Sequence, residues 1–191
     1  MEELMLFPLA SVVLPEGKMK LRIFESRYKR MVTKCCQTDS TFGICLFDNK
    51  AKNKSSYLSE FGILVKIVDF EALDDGLLGI TVLGIKRFKI TNLRTEFDGL
   101  RVAQVSSLPN WSVRELQKHE FYLSEQLQKV YKQFPKLAEM YPLCFFDDAS
   151  WVAQRWLELL PLSNQQFDYL MQQQDASDAL DFLLGVIEVS H

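Results

Sequence analysis

Apolar and polar positions alternate along the first part of the chain with a period of two. Met19, Leu21 and Ile23 are separated by Lys20 and Arg22. Because successive side chains of a β-strand point to opposite faces, this segment is predicted to be a strand with one face packed on a core.

The pattern changes to that of a helix directly after this strand. The apolar positions then follow one helical face: Phe24, Tyr28, Met31, Val32 and Cys35. This spacing predicts an amphipathic helix over residues 24–36. The corner at residues 21–31 therefore joins a half-buried strand to a half-buried helix, and we expect the rest of the chain to be organised around it.

Further strands are predicted on both sides of the corner. Short apolar runs at residues 4–7 and 12–14 are each followed by a proline, which favours edges and ends of sheets. An apolar run at residues 42–47 predicts a buried strand, and the polar, lysine-rich residues 48–56 predict a loop.

A hairpin and one more strand complete the β-rich part. Asp75-Gly76 lies between two long apolar segments, and this dipeptide supplies the positive φ angles of a tight turn. Gly84 interrupts the second segment and predicts a bulge or bend. Apolar positions between residues 100 and 105 predict the last strand.

The second half of the chain has helical patterns. Ser112 and Glu115 have the spacing of a capping box, which predicts a helix ending before Pro135. Three more helices are predicted, starting from the cap Asp148, the capping box of Ser163 with Gln166, and Asp175. The fold class is therefore α+β, with a β-rich subdomain over residues 1–109 and an α-helical subdomain over residues 110–191.

Several motifs resemble the N-terminal, substrate-binding domain of the ATP-dependent Lon proteases. The motifs, in chain order, are Leu6-Phe7-Pro8-Leu9, Pro15-Glu16-Gly17, Ile23-Phe24-Glu25, Arg27-Tyr28, Phe42-Gly43-Ile44, Gly62 and Gly84-Ile85-Lys86-Arg87-Phe88. The resemblance implies a PUA-like β pseudobarrel with an inserted helix, followed by a C-terminal α-helical subdomain. It is strongest to free-standing bacterial Lon-domain proteins, which implies a binding module without ATPase or protease domains.

Composition and charge describe an ordinary globular protein. The 191 residues are 48% hydrophobic and 25% charged, and no apolar run is long enough to span a bilayer. The N-terminus is acidic where a signal peptide would be basic, which predicts a cytoplasmic protein. Residues 1–108 hold 16 Lys and Arg against 13 Asp and Glu, whereas residues 109–191 hold 6 against 12.

No motif predicts an enzyme, a cofactor or a metal site. The segment from Gly79 to Arg87 lacks the Lys and Ser or Thr of a phosphate-binding loop, and His119-Glu120 lacks the second histidine of a zinc-protease helix. The four cysteines lack the spacing of zinc ligands and are predicted to be free thiols. Catalytic, cofactor-binding and metal residues are accordingly predicted to be none.

Two groups of residues are candidates for binding. The first is predicted to bind a partner or to fix the corner: Phe24, Glu25, Arg27, Tyr28, Arg87 and Phe88. Within it, Glu25 is expected to form a buried ion pair with Arg27 or Arg87. The second group is either an exposed apolar patch or the core of the helical subdomain, which is favoured: Phe145, Phe146, Trp151 and Trp156.

Three functions remain open at this level. The first is a non-enzymatic module that binds unfolded polypeptide or a protein partner, with an adaptor role in proteolysis or quality control. The alternative is an RNA-binding PUA-like protein, although the pI of about 5.5 disfavours it. It rests on a basic run across the corner, made of Lys18, Lys20, Arg22, Arg27, Lys29, Arg30 and Lys34 and continued by Arg87 and Lys89. The third is a hydrolase that uses a serine and a lysine. Oligomeric state is not predicted.

Overall fold

The computed structural model describes residues 1–48 and 58–188. Its strands are β1 (Glu2–Leu9), β2 (Lys18–Ile23), β3 (Thr41–Phe47), β4 (Leu58–Ala72), β5 (Leu78–Thr95) and β6 (Arg101–Ser107). Its helices are α1 (Ser26–Cys36), α2 (Phe121–Gln133), α3 (Pro135–Ala138), α4 (Ala149–Leu157), α5 (Asn164–Met171) and α6 (Ser177–Glu188), with a 3-10 turn at Lys118–Glu120. The predicted loop over residues 48–56 lies, except for Asp48, outside the described residues.

Five of the six strands, β1, β3, β4, β5 and β6, close into a barrel. β1 pairs with β3 in parallel, β3 with β4, β4 with β5, and β5 with β6, and β6 pairs back with β1. β2 is added at the edge of the sheet through β5. With α1 inserted between β2 and β3 and the other helices after β6, this arrangement confirms the predicted α+β class.

The ring of Phe88 fills the barrel interior at two glycines of neighbouring strands. Phe88 is buried, and a Cβ atom on Gly43 would stand 2.8 Å from its ring. A Cβ atom on Gly62 would stand closer still. Such approaches are shorter than van der Waals contact, so only glycine leaves room for the ring. Three of the residues that carry the family resemblance thus share one packing site.

The bulge predicted at Gly84 is confirmed. The register of β5 shifts by one residue between Gly84 and Lys86, both of which still have partners on β4. The N–H of Gly84 donates to the carbonyl of Gly17 at 2.8 Å, and its carbonyl accepts from Glu16 at 2.8 Å. A Cβ atom here would collide with the carbonyl oxygen of Leu14. Gly84 therefore lets the chain before β2 lie directly against β5. The tight turn at Gly76, which has φ of 79°, is also confirmed.

The capping box predicted at Ser112 is wrong. The first helical turn after β6 begins at Lys118, and Glu120 accepts a hydrogen bond from the N–H of Gln117 at 2.8 Å. Residues 112–115 contact the start of α4 instead. Glu115 forms an isolated β-bridge with Asp148, the N-cap of α4, and the Oγ of Ser150 in α4 donates to the carbonyl of Ser112 at 2.6 Å. The caps predicted at Asp148 and Ser163 are confirmed.

Arg87 holds the barrel against the helices. Its guanidinium donates to the carbonyl of Gln173 at 2.8 Å and to those of Met171 and Pro109. It also lies 5.3 Å from the ring centre of Trp111. Burial lowers the pKa of Arg87 to about 10. Since Met171 is the last residue of α5, the arginine satisfies carbonyls that a helix end leaves without partners.

A buried ion pair makes the second connection between the barrel and the helices. Arg155 of α4 donates to the carbonyl of Pro15 at 2.7 Å and to Glu158 at 2.9 Å. Glu158 also accepts the N–H of Leu14 at 2.8 Å. Burial raises the pKa of Glu158 to about 7, although Arg155 acts in the opposite direction. We call the contacts of Arg87 and of this pair the junction. One hydrophobic cluster runs through both parts of the chain, and the division at residue 109 stays a prediction.

Candidate functional site

A cleft opens in the barrel wall beside the start of β6, where Arg101 pairs with Leu6 of β1. β2 and β6 pair with successive stretches of the same edge of β5, and β6 pairs with β1 only as far as Leu6. Residues 7–9 of β1 and residues 20–22 of β2 therefore face a shared space of about 490 Å³, closed at one end by α1. We call this space the corner cleft. It has the size of a ligand pocket.

Aromatic rings form the wall of the corner cleft. Tyr28 of α1 is buried and stacks on Phe7 of β1, with ring centres 4.0 Å apart and planes inclined by 23°. The guanidinium of Arg27 lies 4.8 Å from the centre of the Tyr28 ring. The prediction that Phe24 belongs to the apolar face of this helix is wrong: α1 begins at Ser26, and Phe24, which lies before its N-cap Glu25, is 62% exposed. The four residues predicted at the corner, from Phe24 to Tyr28, all line the cleft.

The predicted ion pair of Glu25 is present but is not buried. Arg27 Nε donates to Glu25 Oε2 at 2.8 Å, and its Nη1 donates to the carbonyl of Gly99 at 3.2 Å. The side chains of Arg27 and Glu25 are 34% and 41% exposed, because both lie on the open rim of the cleft. The alternative partner, Arg87, is held at the junction instead.

Two of the six corner candidates lie elsewhere. Phe88 is inside the barrel and Arg87 is at the junction, so neither lines the corner cleft.

The second candidate group is mainly core, as favoured from the sequence. Trp151 and Trp156 are buried, and Phe146 packs edge-on against Trp151 with ring centres 5.5 Å apart.

Phe145 is the exposed member of that second group. It is 45% exposed and contacts Trp151 edge-on, with ring centres 6.1 Å apart.

The Nε1 of Trp156 donates to the carbonyl of Leu123 at 2.8 Å. Buried tryptophans with a satisfied N–H are typical of a core.

Most arginines of the basic run already have acidic partners. Arg30 contacts Asp98 at 2.7 Å and Glu96 at 2.6 Å, and Arg22 contacts Asp75. The guanidinium of Arg30 lowers the pKa of Asp98 to about 2. These pairs connect α1 and β2 to turns of the sheet, so the arginines are partly neutralised before any ligand arrives.

The corner cleft nevertheless keeps an excess of positive charge. Its charged lining residues are Lys20, Arg22, Glu25, Arg27 and Arg101. Within residues 1–48 and 58–188, neither Lys20 nor Arg101 has a carboxylate at ion-pair distance. Since Arg22 pairs with Asp75 and Arg27 with Glu25, the charge that makes the cleft attractive to acidic groups comes from Lys20 and Arg101.

Sequence reasoning missed the other side of the cleft. Pro8, Leu9 and Arg101 come from β1 and β6, far along the chain from the corner. The only local signal was Pro8, since proline in a strand favours an edge position.

The described residues contain no group of His, Cys, Asp or Glu side chains arranged to hold a metal. No helix in the described ranges is long and apolar enough to cross a membrane.

The barrel, the inserted helix and the helices that follow define an α+β binding domain with one cleft at its corner. The family described as the ATP-dependent protease La (LON) substrate-binding domain matches residues 3–189, and the chain belongs to this family. The match leaves no stretch of these 191 residues for an ATPase or a protease domain.

Solved structures agree with this assignment. A Lon N-terminal domain protein from Xanthomonas campestris is 34% identical, with a TM-score of 0.73 over 97% of this chain and 98% of that chain. The N-terminal domain of Mycobacterium avium complex Lon protease has a TM-score of 0.65 over 100% of both chains, and at 14% identity this likeness concerns the fold. Protein cereblon from Gallus gallus is 28% identical over 101 residues, which are 51% of this chain but only 22% of cereblon.

Proposed function

We propose that this domain binds unfolded polypeptide in the corner cleft. The observation that carries the proposal is the exposure of Phe24 beside the stacked rings of Tyr28 and Phe7. An exposed aromatic side chain next to an open cleft offers apolar surface that a partner can bury. The substrate-binding description of the family supports the same role.

The proposed role is non-enzymatic. The cleft supplies apolar and cationic surface for holding a chain, and the chemistry of any later cleavage belongs to another protein. We infer that the domain is a cytoplasmic adaptor that presents polypeptides in proteolysis or quality control.

Fluorescence anisotropy tests the proposal. A labelled polypeptide, reduced and alkylated so that it cannot fold, is titrated with the protein at moderate salt in the presence of excess unlabelled structured RNA. We expect saturable binding that the RNA does not displace. An unchanged anisotropy up to high protein concentration would contradict the proposal.

The same titration separates the RNA alternative, which stays a prediction. RNA binding depends on phosphate contacts by Lys and Arg, so it weakens steeply as salt increases. Arg22, Arg27 and Arg30 already contact carboxylates, which reduces the charge available for such contacts. Displacement of the polypeptide by RNA, together with a steep salt dependence, would favour the alternative.

A further inference from the structure

The backbone of β2 directs hydrogen-bonding groups into the corner cleft. The N–H of Lys18 donates to the hydroxyl of Tyr141 at 2.9 Å, so it points away from β5. In an antiparallel pair, the N–H and C=O of alternate residues point to the same side. Lys20 and Arg22 therefore also direct their N–H and C=O groups away from β5, into the space that both residues line.

The residue before β2 gives an independent check of this alternation. The carbonyl of Gly17 accepts a hydrogen bond from Gly84 of β5 at 2.8 Å, so Gly17 faces β5. Because the direction alternates from residue to residue, the backbone N–H and C=O groups of Met19 and Leu21 face β5 as well. Both observations leave the same two residues, Lys20 and Arg22, with outward-facing backbone groups.

No described strand occupies this edge. β2 is the terminal strand of the sheet, and its ladder partner is β5. Across the cleft, Pro8 of β1 has no N–H to give to a neighbouring strand. An open edge next to an apolar cleft is the arrangement that accepts a peptide as an additional strand.

The side chains of β2 determine which peptide fits. Lys20 and Arg22 are exposed on one face of the strand, whereas Leu21 and Ile23 are buried on the other. Side chains directly opposite each other in neighbouring strands share a face, and opposite charges there are favourable. A paired peptide would therefore place an acidic residue opposite Lys20, since Arg22 already contacts Asp75, and apolar residues beside Leu21, toward the cleft wall.

We propose that the corner cleft binds extended polypeptide by β-strand addition to β2, and that it selects segments in which acidic and apolar residues alternate. This inference rests on the proposed function and specifies its substrate class. The excess of cations in the cleft, with Lys20 and Arg101 lacking a carboxylate partner among the described residues, supplies the charge complementarity. Cationic side chains also discourage uncontrolled pairing along an open edge.

A short acetylated and amidated peptide that alternates Asp with Val and Phe is the probe. Its backbone amides are methylated one at a time, and each peptide is titrated by anisotropy. Strand addition predicts that methylation weakens binding about tenfold at every second residue and has little effect at the residues between. Uniform tolerance of methylation would overturn the inference. A peptide with Lys in place of Asp is expected to bind at least tenfold more weakly.

Two variants test the same geometry from the protein side. Lys20→Pro removes the outward N–H of β2 while leaving the ladder with β5 intact, because that N–H is not used in the sheet. Lys20→Ala is the matched control, since it removes the same side chain but keeps the N–H. We expect K20P to bind the peptide about tenfold more weakly than K20A, with both variants folded by circular dichroism.

The outcomes separate the two proposals. If the unfolded polypeptide binds but K20P equals K20A and the methylation pattern is flat, strand addition is wrong and the binding function stands. If neither the peptide nor the unfolded polypeptide binds, both proposals fail. If K20P does not fold, the methylation series on the unmodified protein decides alone.

Discussion

The junction and the corner cleft each place an arginine over an aromatic ring, yet the two arginines differ in burial and in their partners. Arg87 is buried and its guanidinium donates to three backbone carbonyls, with Trp111 beside it. Arg27 is 34% exposed, pairs with Glu25 and lies over Tyr28 at the rim of an open space. At the junction the surroundings are protein on all sides, whereas at the cleft one side is open.

This difference shows that the residue type alone does not assign a role. Arg87 and Arg27 both belong to motifs that resemble the family, but one connects the barrel to the helices and the other lines a candidate binding site. Removing the side chain of a buried arginine destabilises the fold, because it leaves several carbonyls without partners. An exposed arginine costs the fold little when it is removed, so its contribution is expected in binding.

The largest predicted effect is at the junction. Arg87→Ala leaves the carbonyls of Met171, Gln173 and Pro109 without their donor and opens a cavity beside Trp111. We expect the free energy of unfolding to fall by roughly 3–5 kcal/mol. Urea denaturation followed by tryptophan fluorescence measures the change.

Arg87→Lys is the control for charge. Lysine keeps the positive charge but lacks the planar fork that reaches several carbonyls at once, so we expect it to recover only part of the loss. A fall of less than about 1 kcal/mol in R87A would contradict the assignment of Arg87 as the connection between the two parts.

The second prediction concerns the barrel interior. Gly62→Ala forces a methyl group against the ring of Phe88, and we expect a destabilisation of about 1–3 kcal/mol by urea denaturation. Gly185→Ala is the matched control, because no atom lies within 4 Å of a Cβ there and alanine favours the helix by up to ~1 kcal/mol. Equal effects of the two substitutions would show that the Phe88 ring does not require Gly62.

The sequence predicted local features well because each depends on neighbours along the chain. The strand-to-helix corner, the turn at Gly76, the bulge at Gly84 and the caps at Asp148 and Ser163 are all short-range patterns. The capping box at Ser112 failed because pairing with the distant segment before α4 competes with helix formation there. Tertiary contacts of that kind override a local propensity.

The candidate site was predictable only on one side. Phe24 to Tyr28 form one continuous motif, so they could be named together from the sequence. Arg101 and Pro8 join them because β6 begins opposite Leu6 of β1, and that register depends on closure of the whole barrel. For the same reason, nothing local indicated that Arg87 would lie far from Glu25.

The third prediction separates binding from stability. Phe24→Ser removes an exposed ring, so the free energy of unfolding should change by no more than about 0.5 kcal/mol. Affinity for the unfolded polypeptide should fall about tenfold, as expected for an aromatic anchor. The control is Phe121→Ser, whose ring is 49% exposed at the start of α2 and does not line the cleft. Equal losses of affinity in both variants would contradict a site at the corner.

The smallest predicted effect is a loss of stability at acidic pH. The guanidinium of Arg30 lowers the pKa of Asp98 from 3.8 to about 2, so the folded state binds a proton less readily than the unfolded state. The contribution of this pair is therefore present above about pH 4 and is lost as the pH falls through about 2.

Arg30→Gln isolates that contribution, because the carboxylates of Asp98 and Glu96 then lose their cation. We expect the Tm of the unmodified protein to fall further than that of R30Q between about pH 5 and about pH 2, measured by circular dichroism. The difference is small because solvent still reaches these partly buried side chains and screens the pairs. Parallel decreases in both proteins would show that Arg30 does not stabilise the contact of α1 with the turn between β5 and β6. The hydrogen bond from Arg27 to the carbonyl of Gly99 would then be the contact left to test there.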